Sequence, residues 1–330
     1  MALLFIDSFD HFLDASDKYL AGSSASVPGR HGQGWSGSVR CALNSTSARV
    51  IVGGAFRFGS TFQQFIGIAD AGISVETTNS GALRVALFGG PDVKSAVDAV
   101  RVGQWHFIEC DFTIFITETP PYWHYNVGPC KVYLDGALVI DAATLGPGII
   151  KDAPPAFPYW THIDLMGNAY GTMDDLYISD GSGPAPYNAP LGDIEISVIR
   201  PNGPGALSQW TSVGASPNWN AVNDPTPDDE TTYVSAAAAG LSDLYEMENI
   251  NTNDGIIGAQ LLINARRTEE GFANLAPLLR HAGVTTALPE RAISPTYFYR
   301  NRQVFVTMPN GDPLTDANVN ALQAGMRRTL

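Results

Sequence analysis

Charge is scarce in this chain of 330 residues: only 16% of the side chains are Asp, Glu, Lys or Arg, and lysine occurs four times, at Lys18, Lys94, Lys131 and Lys151. So low a charged fraction excludes a disordered polyelectrolyte and a charged helical bundle. Bases are the scarcer sign, 19 against 33 acids, for a net charge of −14. Residues 1–188 hold 18 acids and 10 bases, and 189–330 hold 15 and 9, so no basic half hides in the total. Nucleic acid is excluded as a partner, because phosphate neutralisation needs clustered Lys and Arg. Cysteine is limited to Cys41, Cys110 and Cys130, with no C-x-x-C spacing. This odd set excludes a disulfide framework and a structural zinc site, and the apolar run around each predicts buried free thiols. No stretch approaches the roughly 20 apolar residues of a membrane span. The opening MALLFID has no basic region and no long apolar core, unlike a secretory leader, which predicts folding in a cytoplasm. Nucleophile elbow, phosphate loop and dinucleotide fingerprint are all missing. The six histidines, His11, His31, His106, His124, His162 and His281, form no H-x-x-x-H or H-x-H pair with a carboxylate in register. No catalytic residue, no metal ligand set and no cofactor is therefore expected.

What the chain does have is β-formers punctuated by turns: 33 Gly, 22 Pro and 45% hydrophobic residues. Strands are predicted over 49–58, 62–68, 73–78, 82–88 and 104–117. In the last of these, His106, Ile108, Cys110, Phe112, Ile114 and Ile116 share one face, and Trp105, Phe107, Glu109, Asp111, Thr113 and Phe115 the other. Asn79-Ser80-Gly81 reads as a hairpin turn, and Asp135-Gly136 between 130–134 and 137–140 as a tighter one. Residues 173–180 close the first half. The stretch 181–190, GSGPAPYNAP, has no periodicity and marks a domain boundary at 188/189. The second half opens with a predicted strand at 192–199 and a long polar loop over 211–229 carrying Trp219. Further strands are predicted at 230–235, 243–248, 256–266 and 296–308. Residues 272–281 fit helix or strand. Pro277 and Gly271 favour strand. A helix is predicted over 315–323, capped by Thr315 or Asp316. The expected architecture is all-β, two consecutive β-sandwiches (1–188 and 189–330) with one short C-terminal helix.

Two kinds of residue could carry function. Glu109 and Asp111 lie at i and i+2 on a strand, with Cα atoms roughly 6.5–7 Å apart, as a retaining glycosidase would need. The pair resembles the Glu-x-Asp of concanavalin-like glucanases but lacks that family's further Glu, since Thr113 and Ile114 follow. The plain alternative is two carboxylates near a sheet edge, solvated or paired with Arg. Asp174-Asp175 and Asp228-Asp229-Glu230 lack the alternating spacing of a calcium loop and read as solvated turns. Gly29-Arg-His-Gly-Gln-Gly34 reads as a loop. The other kind is aromatic. Tyr122, Trp123, His124 and Tyr125 follow Pro120-Pro121, and Phe157, Tyr159 and Trp160 follow Pro154-Pro155. Proline-stiffened aromatic loops suit protein contacts or sugar stacking, and equally the lid of a core.

Ala2 to His11 (ALLFIDSFDH) resembles the opening of tailed-bacteriophage virion proteins. The Val132–Gly136 hairpin and Met173–Asp180 strand resemble concanavalin A-like or laminin-G-like jelly rolls. Similarity to the virion proteins continues through Leu191–Ile196, Trp210, Trp219, Thr231–Val234, Leu279–Gly283 and Leu314–Leu322. The resemblance implies a non-enzymatic structural protein of the tail or capsid surface, assembled in the host cytoplasm into the virion. It implies other virion proteins and further copies of the chain as partners. A host-surface glycan is the alternative ligand.

Overall fold

The computed structural model describes residues 3–12, 18–22, 25–43, 47–68, 71–120, 122–148, 150–151, 160–166, 171–252, 255–268, 270–296 and 298–330. The chain divides into two compact units, 1–197 and 198–330. The described part of the first unit is built of β1 (Leu3–Asp7), β2 (Ala21–Gly22), β3 (Ala25–Pro28), β4 (Gln33–Ser36), β5 (Val39–Ala42), β6 (Arg49–Phe58), β7 (Gln64–Ile68), β8 (Ile73–Thr77), β9 (Leu83–Leu87), β10 (Asp92–Lys94), β11 (Trp105–Thr119), β12 (Tyr122–Leu134), β13 (Ala137–Ala142), β14 (Ile150–Lys151), β15 (His162–Leu165) and β16 (Gly171–Ser179). They form two antiparallel sheets. One runs β13-β12-β11-β6-β16-β4-β3, with β1 on β16 and β14 on β12. The other runs β10-β9-β8-β7-β15-β5-β2.

Alternation sets which side chains meet between the sheets. On β6, Val50, Val52, Phe56 and Phe58 share one face and are all fully buried. Phe65 from β7 meets the Phe56 and Phe58 rings at centroid distances of 5.0 and 5.1 Å. The opposite face of β6, with Ile51, Gly53 and Ala55, is buried as well. Chain from 187–196 crosses there and is tied down by hydrogen bonds. The predicted strand over 192–199 does not exist: these residues pair with no strand. Two of their backbone donors, the Gly192 and Ile196 N–H groups, go to the Glu109 and Asp175 side chains instead, and the segment up to Ser197 belongs to the first compact unit.

The second unit contains β17 (Pro201–Ser208), β18 (Thr211–Val213), β19 (Tyr233–Ser235), β20 (Ser242–Met247), β21 (Ala259–Ala265), β22 (Asn274–His281), β23 (Val284–Ala287), β24 (Arg291–Ala292), β25 (Phe298–Phe305), β26 (Gln323–Arg328) and one helix, α1 (Asp316–Asn320). A six-stranded sheet runs β17-β20-β26-β22-β23, with β24 also on β22. Ile263 and Leu261 of the β21–β25 ribbon pack on Tyr245, Leu275 and Met326 of that sheet, making the second layer. The loop expected over 211–229 contains β18 and a 3₁₀ turn at Asn218–Ala221. Trp210 and Trp219 pack against the core there. Thr315 caps α1, its side chain accepting the Asn318 N–H at 3.2 Å.

The all-β class with one short helix stands. No helix among the described residues is long and apolar enough to cross a membrane.

Candidate functional site

Glu109 and Asp111 project from β11, which lies inside its sheet between β12 and β6, not at an edge. Both are nearly inaccessible. Asp111 receives two hydrogen bonds from the Arg49 guanidinium, at 2.8 and 2.7 Å. Register explains the pairing: Arg49 sits opposite Thr113, so Asp111 is its diagonal neighbour on one face. The paired carboxylate holds Arg49's charge on and raises its pKa, by hydrogen bonding first. Arg49 also donates to the Asn188 carbonyl at 2.9 Å.

Glu109 faces Gly53 across β6, and Gly53 faces Tyr177 across β16. Three side-chain positions thus lie in a row, and the middle one is empty. A Cβ at Gly53 would stand 2.1 Å from the Tyr177 ring. Without it the ring lies over β6 and its hydroxyl donates to Glu109. The same carboxylate accepts the Gly192 N–H at 2.9 Å, and the Tyr177 oxygen accepts the Leu191 N–H at 3.0 Å. Glu109 Oε1 and the Tyr177 hydroxyl together thus hold two successive N–H groups of the crossing segment.

Asp174 and Asp175 form a second acidic centre. Asp174 pairs with Ala55 and Tyr177 with Gly53, so two residues of β16 oppose Gly54 alone: a β-bulge. Asp175 adopts a positive φ of 49° there. Both side chains are fully buried, which corrects the expectation of a solvated turn. Asp174 Oδ2 accepts the Arg30 and His31 N–H groups at 2.7 and 3.0 Å, and Oδ1 accepts the Asp175 N–H at 2.9 Å. Gly29 makes room for this, since a Cβ would stand 2.5 Å from Asp174 Oδ2. Asp175 contacts His31 Nδ1 at 3.1 Å and accepts the Ile196 N–H at 2.8 Å. Arg30 closes the cluster on Asp193 at 2.5 Å. Burial, followed by repulsion from Asp175, pushes the Asp174 carboxyl up to about 7; burial likewise raises Asp175. Among the described residues no group of three or more His, Cys, Asp and Glu is arranged to hold a metal ion.

The aromatic candidates separate. Tyr122, Trp123, His124 and Tyr125 are not in a loop; they open β12, with Tyr122 opposite Thr119 and Trp123 opposite Glu118. Alternation sends Tyr122 and His124 to one face and Trp123 and Tyr125 to the other, so the four build no common platform. Tyr122 is exposed, Trp123 and His124 are half-buried, and Tyr125 is buried. Trp160 is wholly buried and offers no outward face. Phe157 and Tyr159 lie outside the described residues. Sequence reasoning named Glu109, Asp175 and His31 but missed Arg30, Asp193 and the joining of these acids to 187–196, because adjacency across strands far apart in the chain leaves no spacing to read. It also missed an open depression of about 400 Å³ on the first unit, lined by Thr61, Asn79, Ser80, Asp98, Arg101 and Val102 among others.

No family model matches the chain, and no curated protein matches it. Among solved structures it is similar to the Trypanosoma rangeli sialidase in complex with the inhibitor DANA, at 8% identity over 49% of this chain and a TM-score of 0.31. That match spans only 27% of the sialidase. It is also similar to the carbohydrate binding module CBM66 from Bacillus subtilis, at 8% identity over 48% of this chain and 94% of that one, with a TM-score of 0.27. Likenesses this distant carry no argument about ligand or activity.

Proposed function

We propose that the chain is a non-enzymatic structural protein of a tailed-phage particle that works through protein contacts. The observation supporting this is the use made of its buried acids. Glu109, Asp111, Asp174 and Asp175 each take hydrogen bonds from Tyr, Arg, His or backbone donors that fix one segment to another. A general acid or nucleophile needs a carboxylate turned toward substrate; these are turned toward the fold itself. The expected site is the virion, with other virion proteins and further copies of the chain as neighbours. Mass spectrometry of purified particles tests this: the chain is expected at structural copy number, and its absence would overturn the reading. Glu109→Gln is expected to leave sugar release from any polysaccharide at background.

A host-surface glycan remains the second reading, and the depression at Asn79, Ser80, Asp98 and Arg101 favours it by offering polar groups in a concave setting. Phe62, next in the chain to Thr61, is 62% exposed and gives an apolar face for a sugar ring. Glycan-array binding lost in Arg101→Ala but kept in Trp123→Ala would place the ligand there. No binding by the parent chain would end this second reading.

A further inference from the structure

β1 ends at Asp7, and the chain returns beside it at Lys18 and Tyr19. The Lys18 and Asp7 side chains are both wholly enclosed, with Nζ 3.0 Å from Asp7 Oδ2. Aromatic rings surround them: Nζ lies 5.0 Å from the Phe5 centroid and 6.0 Å from that of Phe12. Phe9 stacks on Tyr19 at 6.3 Å, and Trp35 meets Phe12 at 5.3 Å. Lysine is almost never fully buried, and a buried ion pair adds little stability over an apolar pair of the same size. Stability alone is a poor account of this lysine.

The Asp7 carboxyl is held as an acyl group is held for attack. Its Oδ1 accepts the Phe9 N–H at 2.9 Å, and its Oδ2 accepts the Tyr19 hydroxyl at 2.5 Å. His11 reaches both reactants, with Nε2 3.2 Å from Lys18 Nζ and Nδ1 3.8 Å from Asp7 Oδ1. A nucleophile, an electrophile and a proton carrier thus meet in a pocket closed to water.

We propose that Asp7 and Lys18 condense in the folded chain to an intramolecular isopeptide bond, with His11 carrying the proton. The ion pair first passes one proton from Nζ to Oδ2, leaving an amine and a carboxylic acid. Burial favours that neutral form, but the charges of Lys18 and His11 and the hydrogen bonds from Tyr19 and Phe9 outweigh it and hold the Asp7 carboxyl below its ordinary value, so the neutral pair is the minor form from which the reaction starts. The Nζ lone pair then attacks Cγ, forming the C–N bond, and the carbonyl electrons move to Oδ1, where the Phe9 N–H stabilises the charge. His11 Nε2, 3.2 Å from Nζ, takes a proton from the nitrogen and hands it on to Oδ2, which lies 3.0 Å from the same nitrogen. The Cγ–Oδ2 bond breaks, the carbonyl re-forms, and Oδ2 leaves as water. One acid and one amine give one amide and one water, His11 is restored, and nothing is oxidised or reduced.

Intact-mass measurement of the purified full-length chain under denaturing conditions tests this. The expected mass is one water below that of the sequence, with a tandem spectrum joining the Asp7 peptide to the Lys18 peptide. Lys18→Arg restores the full mass. This separates the cross-link from a cyclised aspartyl imide, which would still lack a water. Asp7→Asn loses ammonia in place of water. His11→Ala forms the bond about 100-fold or more slowly after refolding, the range for a lost general base. A parent chain at full mass after prolonged incubation, or a water loss that persists in Lys18→Arg, would overturn the proposal. If a variant fails to fold, the parent mass and its fragment spectrum decide alone.

Discussion

Asp174 is a carboxyl whose burial raises it from the ordinary 3.8 to about 7. The folded chain therefore keeps this proton through a range in which the unfolded chain has lost it. The stability contributed by this group is full below the unfolded value and lost as the pH rises through about 7. Denaturant midpoints taken either side of that window should fall toward high pH, and Asp174→Asn, which no longer titrates, should flatten the fall. Asp243 in the second unit illustrates the other use of a buried acid. It accepts the Gln209 and Trp210 N–H groups at 2.5 and 2.8 Å, the Asn218 amide at 2.6 Å and the Tyr245 hydroxyl at 3.0 Å. Asp243→Ala strands four donors in or near a core, and about 3 kcal/mol of stability should be lost. Tryptophan fluorescence during urea unfolding measures it, since Trp210 is one of the released donors.

At the scale of strands, the row Glu109–Gly53–Tyr177 makes a sharp contrast testable. Gly53→Ala puts a methyl into the Tyr177 ring, whereas a Cβ at Gly54 meets nothing nearer than 3.4 Å. Gly53→Ala should cost about 1–3 kcal/mol and Gly54→Ala distinctly less, read from thermal or denaturant unfolding. Neither consequence could be foreseen from the dipeptide Gly53-Gly54, because it depends on which residues stand opposite in neighbouring strands. What local pattern controls was readable. β6 occupies the predicted 49–58, and Asp135-Gly136 turns with positive φ at both residues. Within 272–281, Asn274–His281 is strand β22 although it holds Pro277. The Pro277 carbonyl accepts the Leu288 N–H, so its nitrogen faces the same side, and the return bond it cannot make falls just past the end of β23, where that ladder stops. The failure at 192–199 has the same logic in reverse. Its apolar alternation matches a strand, but its donors find Glu109 and Asp175 before any strand edge.

For the molecule as a whole, the position of the division matters more than its existence. A fragment ending at 188 would leave the Tyr177 hydroxyl, Glu109 and Asp175 without the N–H groups of Leu191, Gly192 and Ile196. Fragment 1–197 should unfold cooperatively, and 1–188 should be less stable by about 1–3 kcal/mol or more easily nicked by protease. Fragment 198–330 should give its own transition. The three thiols have a practical consequence. Cys41, Cys110 and Cys130 are all buried; burial raises Cys130 to about 12 and Cys110 well above the ordinary thiol value. Thiolate is the reactive form, so the native chain should be blank to maleimide dyes, with all three sites opening only in denaturant. A single cysteine introduced at the exposed Tyr122 would then be the one handle that takes up label, and its quenching on contact would report where a neighbour docks.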